Sequence, residues 1–385
     1  MNRREVIGTM AGSVVAGGTA LAKAPAPSSL AALARRSGRR FGTALGLAPF
    51  GRGDRPADPA YLALVAGQCD LLVPENELKW QATRPSADRF DFRGADRIAA
   101  FAQAHAMALR GHTLFWFPQK WFPAWLDRFD FGPSPATTAI RLLEDHVRTV
   151  CARYGSRIAS YDVVNEAVDP ATGRLRETVV TRAVGGGIET VDLLFRAARR
   201  AAPHAELVYN DYMSWEATPD DIRHRRGVLD LLAELRRRGT PVDTLGVQSH
   251  IRLLDGAPVA RQVAALAGPW RAFLDEAVAM GFRLKITEFD VNDHAAPADV
   301  AARDRVVADY ARAYLDEMLG YPALGDILCW GLADRYSWLD GFDPRRDGQG
   351  KRGTPYDRDL AAKPLRGAIA AALRGATKAR RVSAP

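Results

Sequence analysis

The chain breaks into short apolar runs that alternate with helix-patterned stretches, and this alternation restricts the possible folds more than any other feature. Eight runs read as strands: "FGTALGL" (41–47), "CDLLVPEN" (69–76), "LRGHTLFW" (109–116), "ASYDVVNE" (159–166), "ELVYNDY" (206–212), "TLGVQSHI" (244–251), "LKITEFDV" (284–291) and "ILCWGLAD" (327–334). Most are near-continuous in apolar residues, the pattern of parallel strands buried on both faces. Between them, "AIRLLEDHVRTVCARYG" sets Ile140, Leu143, Val147, Val150 and Cys151 at helical spacing, and "VDLLFRAARRAAP" and "VVADYARAYLDEML" do likewise. Strand-then-helix units in this number predict an α/β fold, a (β/α)8 TIM barrel forming a single catalytic domain over residues 25–374. A doubly wound open sheet competes, but it usually needs fewer strands, and no Gly-rich phosphate turn follows the first run. Residues 375–385 read as a frayed tail.

A chain of 385 residues is normal for one such barrel, and 47% hydrophobic with 25% charged residues is the mix of a soluble protein with a large core. The formal net charge is +8 and the sequence pI about 9.6. The arginines are scattered, as in "RHRRG", and read as solvated helix faces; without a basic stripe or RNA-binding signature, no nucleic-acid partner is expected. Cys69, Cys151 and Cys329 are odd in number and sit in apolar runs, so buried thiols are expected. The first residues stand apart. Arg3 and Arg4, a weakly apolar Gly/Ala/Val segment and Ala22-Lys23-Ala24 read as a signal peptide over 1–24, of twin-arginine type, with an ordinary secretory signal or an uncleaved anchor as alternatives. A periplasmic or secreted protein is expected, without a membrane span in its mature form.

All but the first strand run end in polar or aromatic side chains: Glu75, Asn76 and Lys79; His112, Trp116 and Gln119; Asn165 and Glu166; Asn210, Asp211 and Tyr212; Gln248 and His250; Glu288 and Asp290; Trp330. Singly, each has a bland explanation, such as a helix cap or a satisfied neighbour. In a barrel those ends converge on one face, where active sites form. Glu166 and Glu288 would then face each other across a mouth lined with Trp, Asn, Gln and His. Aromatic faces stack on the C–H faces of sugar rings, amides bond hydroxyls, and paired carboxylates are the apparatus of glycoside hydrolysis. One carboxyl must be ionised and the other protonated, so their surroundings must drive their pKa values apart. The histidines show neither H-E-x-x-H nor H-x-H, and G-x-S-x-G is absent, so no metal, no cofactor and no serine nucleophile is expected.

These residues together resemble the family 10 glycoside hydrolases, the endo-β-1,4-xylanases. "PENELKW" is similar to that family's P-E-N-x-M-K-W, "RGHTLFW" to R-G-H-T-L-x-W and "DVVNEA" to W-D-V-V-N-E-A; "YNDY", "QSHI", "ITEFDV" and "WGLADRYSWL" follow in order. The resemblance runs from about Leu30 to Ala370. It implies Glu166 as general acid/base, Glu288 as nucleophile, and Asn165 on the sugar 2-hydroxyl. His250 would bond the nucleophile and be oriented by Asp290, with Gln248 lining the same site. Glu75, Asn76, Lys79, His112, Trp116 and Gln119 would hold the glycone, Trp330 and Trp338 would form aromatic walls, and Asn210 and Tyr212 would serve the aglycone. The reaction implied is a retaining double displacement with carboxyl groups about 5–5.5 Å apart, acting on xylan, as a monomer. Departures from the family pattern are Phe117-Pro118-Gln119 for His-Ser-Gln, Tyr161 for Trp, Met213 for Asn and Phe289 for Leu. Phe117 is expected beside the −1 subsite, and Phe117 with Tyr161 is expected to influence which glycan is cut. Alternatives are the same machinery on another β-linked glycan or on short xylo-oligosaccharides, and a non-catalytic carbohydrate-binding barrel.

Overall fold

The computed structural model describes residues 29–51, 56–254, 257–376 and 378. The segment 1–24, expected to be a signal peptide, and eight of the eleven residues of the tail expected at 375–385 lie outside them.

Eight parallel strands close on themselves: β1 (Phe41–Leu45), β2 (Leu71–Pro74), β3 (Ala108–Trp116), β4 (Ile158–Asn165), β5 (Glu206–Asp211), β6 (Thr244–Val247), β7 (Arg283–Asn292) and β8 (Leu324–Cys329). Each pairs with the next, and β8 pairs back onto β1 with Phe41 opposite Ile327. A long helix follows each strand: α1 (Pro59–Gln68), α2 (Arg93–Ala104), α3 (Pro135–Tyr154), α4 (Gly187–Ala201), α5 (Pro219–Arg237), α6 (Val259–Ala279), α7 (Val300–Leu319) and α8 (Pro364–Gly375). Local chemistry sets their starts. Asp58 accepts from the Tyr61 amide ahead of α1, Thr218 and Asp221 form a capping box ahead of α5, and proline opens α1, α3, α5 and α8. Apolar stripes such as Leu143, Val147, Val150 and Cys151 on α3 bury against the strands, while Ile140 is only half-buried.

Two strands differ from the sequence reading. β8 begins three residues earlier and ends at Cys329, because Gly325 and Asp326, which look like turn residues, lie inside it; Asp326 is ion-paired with Lys285 and Arg40. The run 244–251 is broken after Val247, with Ser249 at φ 66° and a short strand, His250–Arg252, resuming beside β7. A two-residue hairpin, Val168–Asp169 with Arg174–Leu175, follows β4.

The lower barrel interior is ionic. Lys285 Nζ donates to Glu206 (2.7 Å) and Asp326 (3.1 Å), and Arg40 donates to Asp326 (2.7 Å). Burial favours the neutral acids, but the cations outweigh it and hold both carboxyls below their ordinary range. Cys69, Cys151 and Cys329 are buried free thiols.

Candidate active site

The C-terminal ends of the strands are laced by main-chain bonds that fix the side chains above them. The Glu166 amide donates to Asn210 O (2.9 Å), Gln248 N to Asp211 O (3.0 Å), and Glu288 N to Gln248 O (2.9 Å). Glu166 itself takes φ 58°, a left-handed conformation costly for a residue with a side chain, and its carbonyl is held by Arg176 Nε at 3.1 Å. This turn ends the strand and presents the carboxyl at the mouth.

One hydrogen-bond network joins the two glutamates. Glu166 Oε1 accepts from Gln248 Nε2 (3.0 Å) and Asn165 Nδ2 (3.1 Å). Asn165 Oδ1 accepts from Asn210 Nδ2 (2.9 Å), which also donates to Glu288 Oε1 (2.8 Å). His250 Nε2 stands 3.4 Å from Glu288 Oε2, and its Nδ1 2.9 Å from Asp290 Oδ1. Trp338 Nε1 donates to the other Asp290 oxygen at 2.7 Å, and its ring lies 4.9 Å from His250. His112 is fixed by Asp162 at 2.9 Å and approaches Glu288 Oε1 at 3.9 Å. Trp330 meets the His112 ring edge-on at 5.3 Å.

The two carboxyls are driven in opposite directions. Burial pushes Glu166 above its usual range, the negative Asp211 and Glu288 add to this, and the Gln248 amide offsets only part. Glu288 is also buried, yet His112, His250 and Lys79 outweigh the loss of solvation and hold it at about 2. Desolvation disfavours the cation of half-buried His250, but Asp290 and then Glu288 outweigh it and raise His250 to about 10, so it is cationic beside the carboxylate. An acid and a carboxylate in one network are thus set by environment alone.

Beside them, Lys79 Nζ donates to Asn76 Oδ1 (2.9 Å) and lies 4.5 Å from the Trp116 ring and 5.8 Å from Trp330. Glu75 borders a cavity of about 330 Å³ with Tyr61, Trp330 and Trp338. Burial, then Glu77, raises the Glu75 carboxyl to about 7.

Four residues are placed differently from the sequence expectation. Gln119 is not in the network: its amide donates to Asp127 (3.1 Å) and its oxygen accepts from Val179 N (3.0 Å). Asn210 is fully buried, and its amide is spent on Asn165, Glu288 and Thr287 rather than offered to an aglycone. Phe117 reaches the site only through its amide, which donates to Asn165 O (2.9 Å); its ring is fully buried against Phe115 at 5.0 Å and is not open to a sugar. Tyr161 faces the helix layer, its ring closed against Gly111 and its hydroxyl beside Cys151. Tyr212 stands at the mouth, its hydroxyl accepting from Arg176 at 3.0 Å.

Sequence reasoning passed over Asp162, Arg110, Arg176 and His224. Asp162 sits opposite His112 and bonds both His112 and Arg110; charged residues at alternate positions of two neighbouring apolar strands were the available signal. His224 Nε2 lies 3.1 Å from Asp211 Oδ1, and its ring 4.7 Å from Tyr212. Burial disfavours its cation, but Asp211 prevails and raises it. Nothing in its helical surroundings marks His224 in sequence. Among the described residues, no group of three His, Cys, Asp or Glu side chains is arranged to hold a metal ion.

A closed parallel barrel with such a carboxyl pair at its strand ends defines a (β/α)8 glycoside hydrolase. The family description "Glycosyl hydrolase family 10" matches residues 29–372, and the chain belongs to that family. It is 30% identical over 287 residues to endo-1,4-beta-xylanase B of Thermotoga neapolitana, covering 74% of this chain and 77% of that one. With endo-1,4-beta-xylanase 1 of Humicola insolens it shares 29% identity, over 92% of this chain and 76% of the other. Among solved structures, native xylanase 10B from Thermotoga maritima superposes with a TM-score of 0.77 at 30% identity, covering 90% of this chain and 98% of that one. Xylanase 10B from Thermotoga petrophila RKU-1 in complex with xylobiose gives the same TM-score and identity, covering 90% and 97%.

Proposed function

We propose that the chain is an exported endo-β-1,4-xylanase acting by retaining double displacement. The opposed pKa shifts of Glu166 and Glu288 within one hydrogen-bond network carry this reading. Glu288, ionised, attacks the anomeric carbon, while Glu166 gives its proton to the departing glycosidic oxygen. The covalent glycosyl–Glu288 ester forms as that C–O bond breaks. The Glu166 carboxylate then takes a proton from water as its oxygen attacks the same carbon, releasing the sugar and Glu288. Asn165 lies between the two carboxyls, where a 2-hydroxyl would meet its amide. Its side chain is kept in place by Asn210 and Gln248.

The named activity of the relatives supports xylan as substrate, and the xylobiose complex of the T. petrophila protein supports its xylo-oligosaccharides. Export rests on the Arg3-Arg4 segment. Glu166→Gln and Glu288→Gln should each lower turnover of xylan by about 10²–10⁴-fold. Proton NMR of the first product should show the β-anomer. An α-product, or full activity in either variant, defeats the assignment.

A further inference from the structure

The turn after β3 sends its aromatic rings in two directions. Phe117 and Phe122 are buried and fill the core with Phe115 and Trp80. Trp121, between them in sequence, is left 42% exposed. It lies flat on Trp116, ring centres 4.8 Å apart and planes within 7°. The core does not use this outer indole, and an indole held open to water at the rim of a sugar-type cleft is suited to a ligand.

The turn that carries it is rigid. Trp121 N and Phe122 N close a 3₁₀ turn on Pro118 O and Gln119 O, both at 2.9 Å. Gln119 ties that turn to Asp127 and to the Val179 amide. Trp121 is therefore ordered before any ligand arrives, and binding there loses little side-chain freedom. The indole pair lies beside the carboxylate cluster, since Lys79, bonded to Asn76, stands 4.5 Å from the Trp116 ring and its charge acts on Glu288. Lys120 Nζ lies 5.1 Å from the Trp121 ring, an exposed contact that an incoming ring can displace.

We propose that Trp121 is a sugar platform that adds a binding position to the Trp116 end of the cleft, beyond the two units nearest the scissile bond. Its occupant is a further pyranose of the same β-1,4-linked chain, stacking its C–H face on the indole. This rests on the xylanase reading above. It assigns Trp121 a role in preference for longer chains and none in the chemical step.

The test compares the full chain with Trp121→Ala and Trp121→Phe on xylohexaose and on an aryl β-xylobioside too short to reach the platform. Trp121→Ala should lose roughly tenfold in kcat/KM on xylohexaose, mainly through KM. It should stay within about twofold of the parent on the aryl xylobioside, and Trp121→Phe should recover most of the loss. Unchanged kcat/KM on xylohexaose overturns the platform, as does an equal loss on both substrates or a Phe variant as weak as Ala. A parent chain inert on both substrates defeats the functional reading and the platform with it. An active parent matched by Trp121→Ala defeats the platform alone.

Discussion

Glu166 and Glu288 carry the same functional group, and only their neighbours tell them apart. The negative Asp211 and Glu288 are charges that raise Glu166, whereas Glu288 has His112, His250 and Lys79. The pH profile follows with a definite sign. Activity requires Glu288 ionised, so the acid limb of kcat/KM should fall near pH 2, far below an ordinary glutamate. The alkaline limb should follow loss of the Glu166 proton, above the ordinary range. Replacing His250 by Asn removes a cation and leaves Glu288 buried. The acid limb should then move up by about one unit or more, while the alkaline limb moves much less. An acid limb that stays in place would separate His250 from the nucleophile. At this scale the sequence was legible where polar residues ended strands. It misled at Phe117, which follows a register shift between β3 and β4 that changes which alternate positions face the mouth, and at Tyr161, where no shift intervenes. Tyr161 sits between Ser160 and Asp162, both bonded to Arg110, and so faces outward by simple alternation. Arg176 was hidden because it reaches the site from the hairpin after β4, through contacts that no local pattern encodes.

At the scale of elements, that hairpin depends on a close approach to α5. A Cβ on Gly227 would come within 2.2 Å of Gly173 O and 2.9 Å of Val168 Cγ1. Gly227→Ala should destabilise the fold by about 1–3 kcal/mol, read from urea unfolding. It should also lower activity, because Arg176 follows directly from the hairpin and holds the Glu166 carbonyl. Unaltered stability would mean that the hairpin moves aside freely. Strands and helices were legible from apolar periodicity. The early start of β8 was not, since its Asp326 is satisfied by partners 41 and 286 residues away in sequence.

At the scale of the whole molecule, the ionic cluster joins β5, β7, β8 and the residue preceding β1 at the end opposite the site. Lys285→Met should cost about 3–5 kcal/mol near neutral pH, because Glu206 and Asp326 stay buried without their shared cation. Both carboxyls are depressed in the parent, so their contribution is complete above the unfolded carboxylate pKa of about 4 and is lost as pH falls through the folded values. In the variant Asp326 keeps only Arg40 and Glu206 only Arg283, so both gain a proton more readily and the difference from the parent should shrink on acidification. Thermal unfolding at several pH values checks this, and a gap independent of pH would point to packing instead. The closed barrel itself was legible from the count and order of strands. The cluster was not, because a charged residue in one strand says nothing about which distant strand will answer it.

The three free cysteines give the fold a built-in clock. Cys69 directly follows α1, Cys151 lies on α3 and Cys329 closes β8. Burial keeps each thiol protonated, with Cys151 raised to about 12, and therefore inert to alkylation while its surroundings stay shut. Mass-resolved labelling of the unaltered chain would time the opening of each region separately, showing whether the helical coat loosens before the barrel wall or together with it.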